Sequence, residues 1–181
     1  MRILILIILL FFGCSKIVDG ELYFVEKQFP LGLPIPPTPV EVFMDRIAEI
    51  ESDGRYDVVN RYGFLGKYQF SPTTINYMGF DVTRDDFLLN PELQDSVMIT
   101  YMKHNNEYLN EYINRYDGVI VDGVYLNRAT ILAGAHFAGA GGMRRFLISM
   151  GKNTTVDGNG MNITNYIKHF SDINIPESVG G

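Results

Sequence analysis

The chain is poor in cysteine and histidine, and this scarcity removes two classes of site. Its one cysteine, Cys14, excludes an intrachain disulfide and any metal cluster built from cysteines. The three histidines are His104, His136 and His169, and no two of them have the spacing of a zinc-binding helix. We therefore expect no metal site.

Basic residues are also scarce, and none of them form a run. The chain has 15 Lys and Arg against 21 Asp and Glu, which gives a net charge of −6. Binding to DNA or RNA depends on clustered positive charge, so a nucleic-acid partner is not expected. Hydrophobic residues make up 46% of the chain, which is enough for one packed core.

The N-terminus has the pattern of an export signal. Arg2 precedes an apolar run, residues 3–12, that is too short to span a bilayer but typical of a signal peptide. The run ends in Gly13-Cys14, which resembles a bacterial lipobox, with Phe11 at the usual leucine position. We predict that residues 1–13 are a signal peptide and that Cys14 is lipidated. The protein would then be exported and anchored to a bacterial cell membrane, facing the periplasm or cell wall. The alternative is an ordinary cleaved signal peptide with an incidental cysteine.

Residues 14–39 are predicted to be a linker that follows the lipidated cysteine. The segment shows no clear helical period and ends in a proline-rich stretch at 30–39. Prolines at this density favour an extended, semi-rigid spacer. Alternatively, Leu31, Leu33 and Ile35 hold the segment against the domain as a strap.

Residues 40–175 have the patterns of a mainly α domain with one small β-hairpin. Helices are predicted from Thr38 or Pro39 to about Ser52, from Pro91 to about Tyr112, over 128–138, from about 143, and over 163–171. The pair Asp122-Gly123 between β-branched residues predicts a tight hairpin over 119–125.

Glu51 interrupts the amphipathic pattern of the first predicted helix. On a wheel of roughly 100° per residue, Glu51 projects between Met44 and Ile47, on the apolar side that also includes Ile50. Ser52 lies on the polar side. A carboxyl group on the apolar side loses hydration, which favours the protonated form that a general acid needs. The alternative is a glutamate at a helix end that points into solvent or pairs with an arginine.

Three sequence blocks resemble the lytic transglycosylase (SLT) and goose-type lysozyme-like family. The pair Glu51-Ser52 is followed, over residues 63–73, by GFLGKYQFSPT, which is similar to the family's Gly-x-x-Gly-x-x-Gln-x-x-Pro. Residues 135–147, AHFAGAGGMRRFL, resemble the family's Ala-Tyr-Asn-Ala-Gly segment, with His136-Phe137 in place of Tyr-Asn. Residues 162–167, NITNYI, resemble its Glu-Thr-x-x-Tyr-Val, with Asn162 in place of Glu.

The resemblance implies a lysozyme-like α+β fold, a helical bundle around a glycan cleft, and a role for each matching residue. Glu51 is the implied single catalytic acid and base, and Tyr166 would face it and help to position it. The implied substrate-binding residues are Ser52, Tyr68, Gln69, His136, Ala138, Gly139 and Tyr166. From the residues alone, His136 is either a polar group in the cleft or a satisfied core histidine.

The activity implied by the resemblance is peptidoglycan cleavage by a lytic transglycosylase. This enzyme cuts the β-1,4 bond between N-acetylmuramic acid and N-acetylglucosamine, forms a 1,6-anhydro sugar, and needs no cofactor. One alternative is a hydrolytic lysozyme that uses a second carboxylate, for which Asp53 and Asp57 are the candidates. Another is a non-catalytic domain that binds glycan as a wall scaffold, because a fold does not guarantee activity.

Overall fold

The computed structural model describes residues 14–18, 21–25 and 36–179, the first two ranges through their backbone. The chain divides into two compact units, Met1–Pro36 and Pro37–Gly181. The predicted signal peptide over 1–13, and residues 19–20 and 26–35 of the predicted linker, lie outside the described residues. No helix in the described ranges is both long and apolar enough to cross a bilayer.

The first unit contains a hairpin that the sequence analysis did not predict. Strand β1 (Cys14–Val18) pairs antiparallel with β2 (Glu21–Val25), and Val18 is opposite Glu21 in the register. The sequence signal was present, because Asp19-Gly20 separates two segments rich in β-branched and aromatic residues. The prolines further along, at 30–39, favour an extended linker, and the prediction followed that signal for the whole of residues 14–39.

The second unit is mainly α with one small hairpin, as predicted. Helix α1 (Pro39–Ser52) begins at Thr38, where Thr38 and Glu41 form a reciprocal capping box. Its inner face buries Phe43, Met44 and Ile47. The helix ends where Asp53 takes a left-handed conformation with φ of 53°.

The wheel prediction for α1 is wrong in the last turn. Ile50, expected on the apolar side, is 37% exposed, and Ser52, expected on the polar side, is 6% exposed. Beyond Asp53 the chain folds back, and the Ser52 hydroxyl donates a hydrogen bond to the Lys67 carbonyl at 2.8 Å. A helical wheel gives only the angular position of each residue, so it cannot predict that a later loop will bury one side of the last turn.

Four helices and the predicted hairpin follow. Helices α2 (Pro72–Tyr77) and α3 (Arg84–Leu88) were not predicted and are short. Helix α4 (Pro91–Tyr108) is capped by Asn90 and begins at Pro91 as predicted, but it ends earlier than expected, and α5 (Asn110–Tyr116) continues the chain. Strands β3 (Ile120–Val121) and β4 (Val124–Tyr125) confirm the hairpin, with positive φ at Asp122 and Gly123.

The last two helices complete the core. Helix α6 (Arg128–Ile148) is capped by Asn127 and kinks at Gly139, whose φ of 70° and ψ of 157° are not helical. The predicted break in the glycine-rich segment is therefore confirmed. Helix α7 (Ile163–Lys168) packs on α6 close to Gly134, where a Cβ atom would lie 3.2 Å from Ile167 Cγ2.

Gln94 connects the loop after α1 to the helices behind it. Its side chain is fully buried; Oε1 accepts a hydrogen bond from the Lys67 N–H at 2.8 Å. Nε2 donates to the carbonyls of Tyr56 at 3.0 Å and Phe87 at 2.9 Å. Gly66 lies directly against this amide, so the loop tolerates no side chain at that position.

We expect Gly66→Ala to lower the free energy of unfolding by about 3 kcal/mol. The alanine would be strained at the φ of 71°, and its Cβ would lie 2.0 Å from Oε1 of Gln94. The Gln94 side chain has little room to move away, because three hydrogen bonds hold its amide in place. Gly63→Ala is the matched control, since Gly63 has a φ of 83° but open space around it, and we expect a loss of about 1 kcal/mol. Urea unfolding of the full chain measures both, and equal losses would contradict the role given to Gln94.

Candidate active site

A cavity of about 380 Å³ opens at the C-terminal end of α1. This volume lies within the range of small-ligand sites, about 300–1,000 Å³. Of the residues predicted from the sequence, Glu51, Gln69 and His136 line the cavity. Glu51 and Asp157 are the charged residues among the described lining, and the remainder is polar or aromatic apart from Val156 and Gly158.

Glu51 lies in the last turn of α1, with its carboxylate at the cavity wall. Its side chain is 25% exposed. Oε1 accepts a hydrogen bond from the Tyr166 hydroxyl at 2.8 Å, and Nε2 of His136 lies 3.8 Å from the same oxygen. The carboxylate is therefore held by one hydrogen bond, lies beside the imidazole, and remains accessible from the cavity.

Tyr166 is a rigid donor because its surroundings hold the ring in place. It projects from α7, which begins at Asn162, whose side chain accepts a hydrogen bond from the Asn165 N–H at 2.8 Å. The ring packs between Phe137 and Phe170, with centroid distances of 4.7 and 5.6 Å. Burial and the neighbouring Glu51 carboxylate raise the pKa of Tyr166 well above its usual range, so the hydroxyl keeps its proton.

His136 lies in α6 beside Glu51, almost enclosed by aromatic rings. Its side chain is 7% exposed, and its ring meets Phe70 and Tyr101 edge to face at 5.4 and 5.9 Å. The Tyr101 hydroxyl donates to the Ala135 carbonyl at 2.9 Å, which connects α4 to this part of α6. Burial lowers the pKa of His136, an effect that the Glu51 carboxylate partly offsets, so the imidazole is neutral near pH 7.

Gln69 forms another part of the cavity wall. Its backbone has a φ of 51°, which is uncommon for a residue with a side chain. The Gln69 N–H and Nε2 both donate to the Gly66 carbonyl, at 3.2 and 2.8 Å. These bonds hold the strained turn in place and orient the amide along the wall.

Ser52, Ala138, Gly139 and Tyr166 do not line the cavity, although the sequence resemblance implied that they contact substrate. Tyr166 is buried and contacts Glu51 instead. Ser52 is buried and bonded to the Lys67 carbonyl, so it holds the loop that carries Gln69. Gly139 forms the kink of α6, and Ala138 packs against the core beside it. His136 and Phe137, which come just before the kink, line the cavity.

Tyr68 is a core residue rather than a lining residue. It is 1% exposed, and its hydroxyl donates to Asp95 Oδ1 at 2.7 Å. Lys67 Nζ lies 3.6 Å from the same oxygen and 3.0 Å from the Tyr56 hydroxyl. Burial and the hydrogen bond to Asp95 raise the pKa of Tyr68 far above its usual range. This polar network supports the cavity from behind.

Several lining residues were not identified from the sequence. Asn60, Tyr62 and Thr74 come from the loop after α1 and from α2, and Tyr101 comes from α4. Asp157 comes from the loop before α7, where its Oδ1 accepts the N–H groups of Asn159 and Met161 at 2.9 and 2.8 Å. The sequence Asp157-Gly158-Asn159-Gly160 predicts a turn, but nothing in it indicates that the turn reaches Glu51.

The second carboxylates considered from the sequence lie elsewhere. Asp53 caps α1 and is exposed, and Asp57 is exposed in the following loop. Neither lines the cavity. In the part of the chain that the structure describes, no group of three or more His, Cys, Asp or Glu side chains is placed to hold a metal ion.

We expect Glu51→Gln to lower the pKa of His136 further, because it removes the negative charge that favours the imidazolium while leaving the burial unchanged. NMR titration of the His136 ring measures the shift. Glu49→Gln is the control, because Glu49 is an exposed carboxylate two residues from Glu51 on the same helix, and it is expected to leave the His136 titration unchanged. A rise in the Glu51→Gln variant would contradict the pairing.

Comparisons with protein-family models, curated proteins and solved structures find no match to this chain. A functional assignment therefore depends on the sequence motifs and on the geometry of the cavity.

Proposed function

We propose that the protein is a peptidoglycan lytic transglycosylase with Glu51 as its catalytic acid and base. The observation that carries the proposal is the position of the Glu51 carboxylate at a cavity wall, bonded to buried Tyr166 and beside neutral His136. The resemblance to the family also supports the proposal. Its three sequence blocks contain Glu51, His136 and Tyr166, and the side chains of His136 and Tyr166 both lie at Oε1 of Glu51.

In the first step Glu51 protonates the glycosidic oxygen between N-acetylmuramic acid and N-acetylglucosamine. The bond from that oxygen to the muramoyl C1 breaks, and positive charge develops on the sugar ring as in an oxocarbenium ion. The N-acetylglucosamine leaves with the proton as a free hydroxyl. Glu51 is now a carboxylate beside the charged ring and stabilises it electrostatically.

In the second step the Glu51 carboxylate removes the proton of the muramoyl C6 hydroxyl. The freed O6 attacks C1 and closes the 1,6-anhydro ring. Glu51 regains its proton, and no water is consumed. One carboxylate acts as acid and then as base, which is general acid–base catalysis by a single residue.

The neighbours of Glu51 suit this double role. Tyr166 keeps its proton and donates to Oε1, so it stabilises the carboxylate without competing as an acid. His136 is neutral, so it adds no positive charge beside Glu51. Residues that hold the carboxylate in one orientation contribute to rate through positioning.

A hydrolytic lysozyme is the second candidate because Asp157 lines the same cavity as Glu51. The two-carboxylate mechanism needs such a partner for a nucleophile or a water. However, Asp157 Oδ1 accepts two backbone N–H groups, which gives Asp157 a structural role in its loop. This engagement of Asp157 within its own loop favours the lyase.

The proposal includes export and a lipid anchor, which would bring the enzyme to its substrate. The supporting observation is the sequence of the first fourteen residues, with a short apolar run ending in Gly13-Cys14. The partners are then peptidoglycan strands and the membrane that receives the anchor.

We expect the purified full chain to release peptidoglycan fragments that end in 1,6-anhydro-muramic acid. These ends are lighter by one water than reducing ends, so mass spectrometry distinguishes them. Glu51→Gln should lower the rate by a factor of about 100 to 10,000, the usual contribution of general acid–base catalysis. Glu49→Gln, an exposed change on the same helix, should retain the activity.

Other products would change the assignment. Reducing ends, lost in Asp157→Asn, would establish a hydrolase. If several wall types yield no fragments, yet glycan raises the melting temperature of the protein, the domain is a non-catalytic glycan binder.

The lipid anchor has its own test. We expect the full chain, expressed in a bacterial host with labelled palmitate, to incorporate the label, and Cys14→Ser to lose it because the thiol that accepts the lipid is gone. After fractionation of the cells, the wild type should be found in the membrane pellet and the Cys14→Ser variant in the supernatant. Equal labelling of both proteins would refute lipidation at Cys14.

A further inference from the structure

Two loops from distant parts of the chain meet at one side of the cavity. The loop after α1 contributes Asn60, Tyr62 and Phe64 to the lining, and the loop before α7 contributes residues 155–159. Arg61 Nη2 donates to the Gly158 carbonyl at 3.1 Å and lies 3.4 Å from Asn159 Oδ1. We call this contact between Arg61-Tyr62 and Gly158-Asn159 the bridge.

The bridge is tightly packed as well as hydrogen-bonded. A Cβ atom on Gly158 would lie 2.4 Å from the Tyr62 hydroxyl oxygen, so the Tyr62 ring lies directly on the Gly158 backbone. The Arg61 guanidinium also lies 4.8 Å from the Tyr62 ring centroid. Because both loops line the cavity and also touch each other, they join two of its walls.

A second groove of about 460 Å³ adjoins the cavity away from the bridge. The two spaces share Ser71, Thr74 and Tyr101 in their walls, so they lie next to each other. The bridge residues are not part of the described lining of the second groove. Its outer wall carries exposed aromatic side chains, Tyr77 and Tyr108, which are 71% and 54% exposed.

These aromatic side chains are suited to a sugar strand. An exposed tyrosine presents an apolar ring face and a polar hydroxyl, which matches the apolar face and hydroxyl rim of a pyranose. The Tyr77 ring is oriented by an edge-to-face contact with His104 at 5.5 Å. A glycan strand bound in the cavity therefore has room to extend into the second groove, where Tyr77 and Tyr108 can contact its sugar rings.

We propose that the bridge makes this enzyme cleave at the ends of glycan strands. A terminal unit of the strand occupies the space between the bridge and Glu51, and the rest of the strand leaves along the second groove past Tyr77 and Tyr108. A strand cannot continue past the closed side, so internal bonds are not presented to Glu51. This inference rests on the proposed glycan-cleaving function and specifies its substrate as strand ends.

The bridge can be opened without disturbing the core. Arg61 and Tyr62 are exposed, and Arg61 is not part of the cavity lining. Arg61→Ala removes the hydrogen bonds to Gly158 and Asn159. Gly158→Ala leaves those donors in place but forces Tyr62 away, at a backbone conformation that accepts a side chain. Arg115→Ala is the matched control, since Arg115 is an exposed arginine that pairs with Glu111 within α5.

The test is the length of the products formed from long, purified glycan strands in the first tenth of the reaction. We expect the wild type and Arg115→Ala to release short anhydro-ended fragments while the remaining strands stay long. Arg61→Ala and Gly158→Ala should produce fragments of intermediate length from the start, in a share at least about ten times larger.

Two results would overturn the inference while leaving the lyase intact. One is intermediate fragments from the wild type at the earliest times, and the other is an unchanged product pattern in both bridge variants at the wild-type rate. A wild type that releases no fragments would overturn the proposed function, and this inference with it. Melting temperatures close to that of the wild type show that the bridge variants are folded; should one not be, Tyr62→Ala opens the same contact.

Discussion

The hydrogen bond from Tyr166 to Glu51 is the contact on which the candidate site depends. It joins the last turn of α1 to α7 across 115 positions of the chain. Its geometry requires the Tyr166 ring to remain between Phe137 and Phe170, which in turn requires α6 and α7 to approach closely at Gly134. The orientation of one carboxylate therefore depends on the packing of three helices.

Buried polar groups carry much of the support around this contact, and most of them are paired. Gln94 satisfies three backbone groups of its neighbours, and Ser52 binds the Lys67 carbonyl. Pairing matters because a buried polar group without a partner costs about 1–3 kcal/mol. These bonds attach the loop that carries Gln69 to the interior, whereas the loop residues of the bridge are exposed. The site thus combines a buried, hydrogen-bonded base with an exposed rim that the bridge joins.

Local signals predicted much of the fold. The capping box of Thr38 and Glu41, the Asn90-Pro91 start of α4 and the Asp122-Gly123 turn each operate within a few residues, so the sequence displays them directly. Short helices such as α2 escaped prediction because one or two turns contain too few residues for a visible period. The last turn of α1 was misread because the loop that buries Ser52 comes from further along the chain.

The sequence by itself determined the helical class of the domain, the position of Glu51 at the end of α1, and the motifs that single out Gln69, His136 and Tyr166. Only the tertiary structure decided which of these groups meet. It brought His136 and Tyr166 to one oxygen of Glu51, turned Ser52 and Tyr68 into the interior, and placed Asp157 in the same cavity. The reason is physical: caps and turns depend on neighbours in the chain, whereas a cavity wall depends on packing between residues far apart in the sequence.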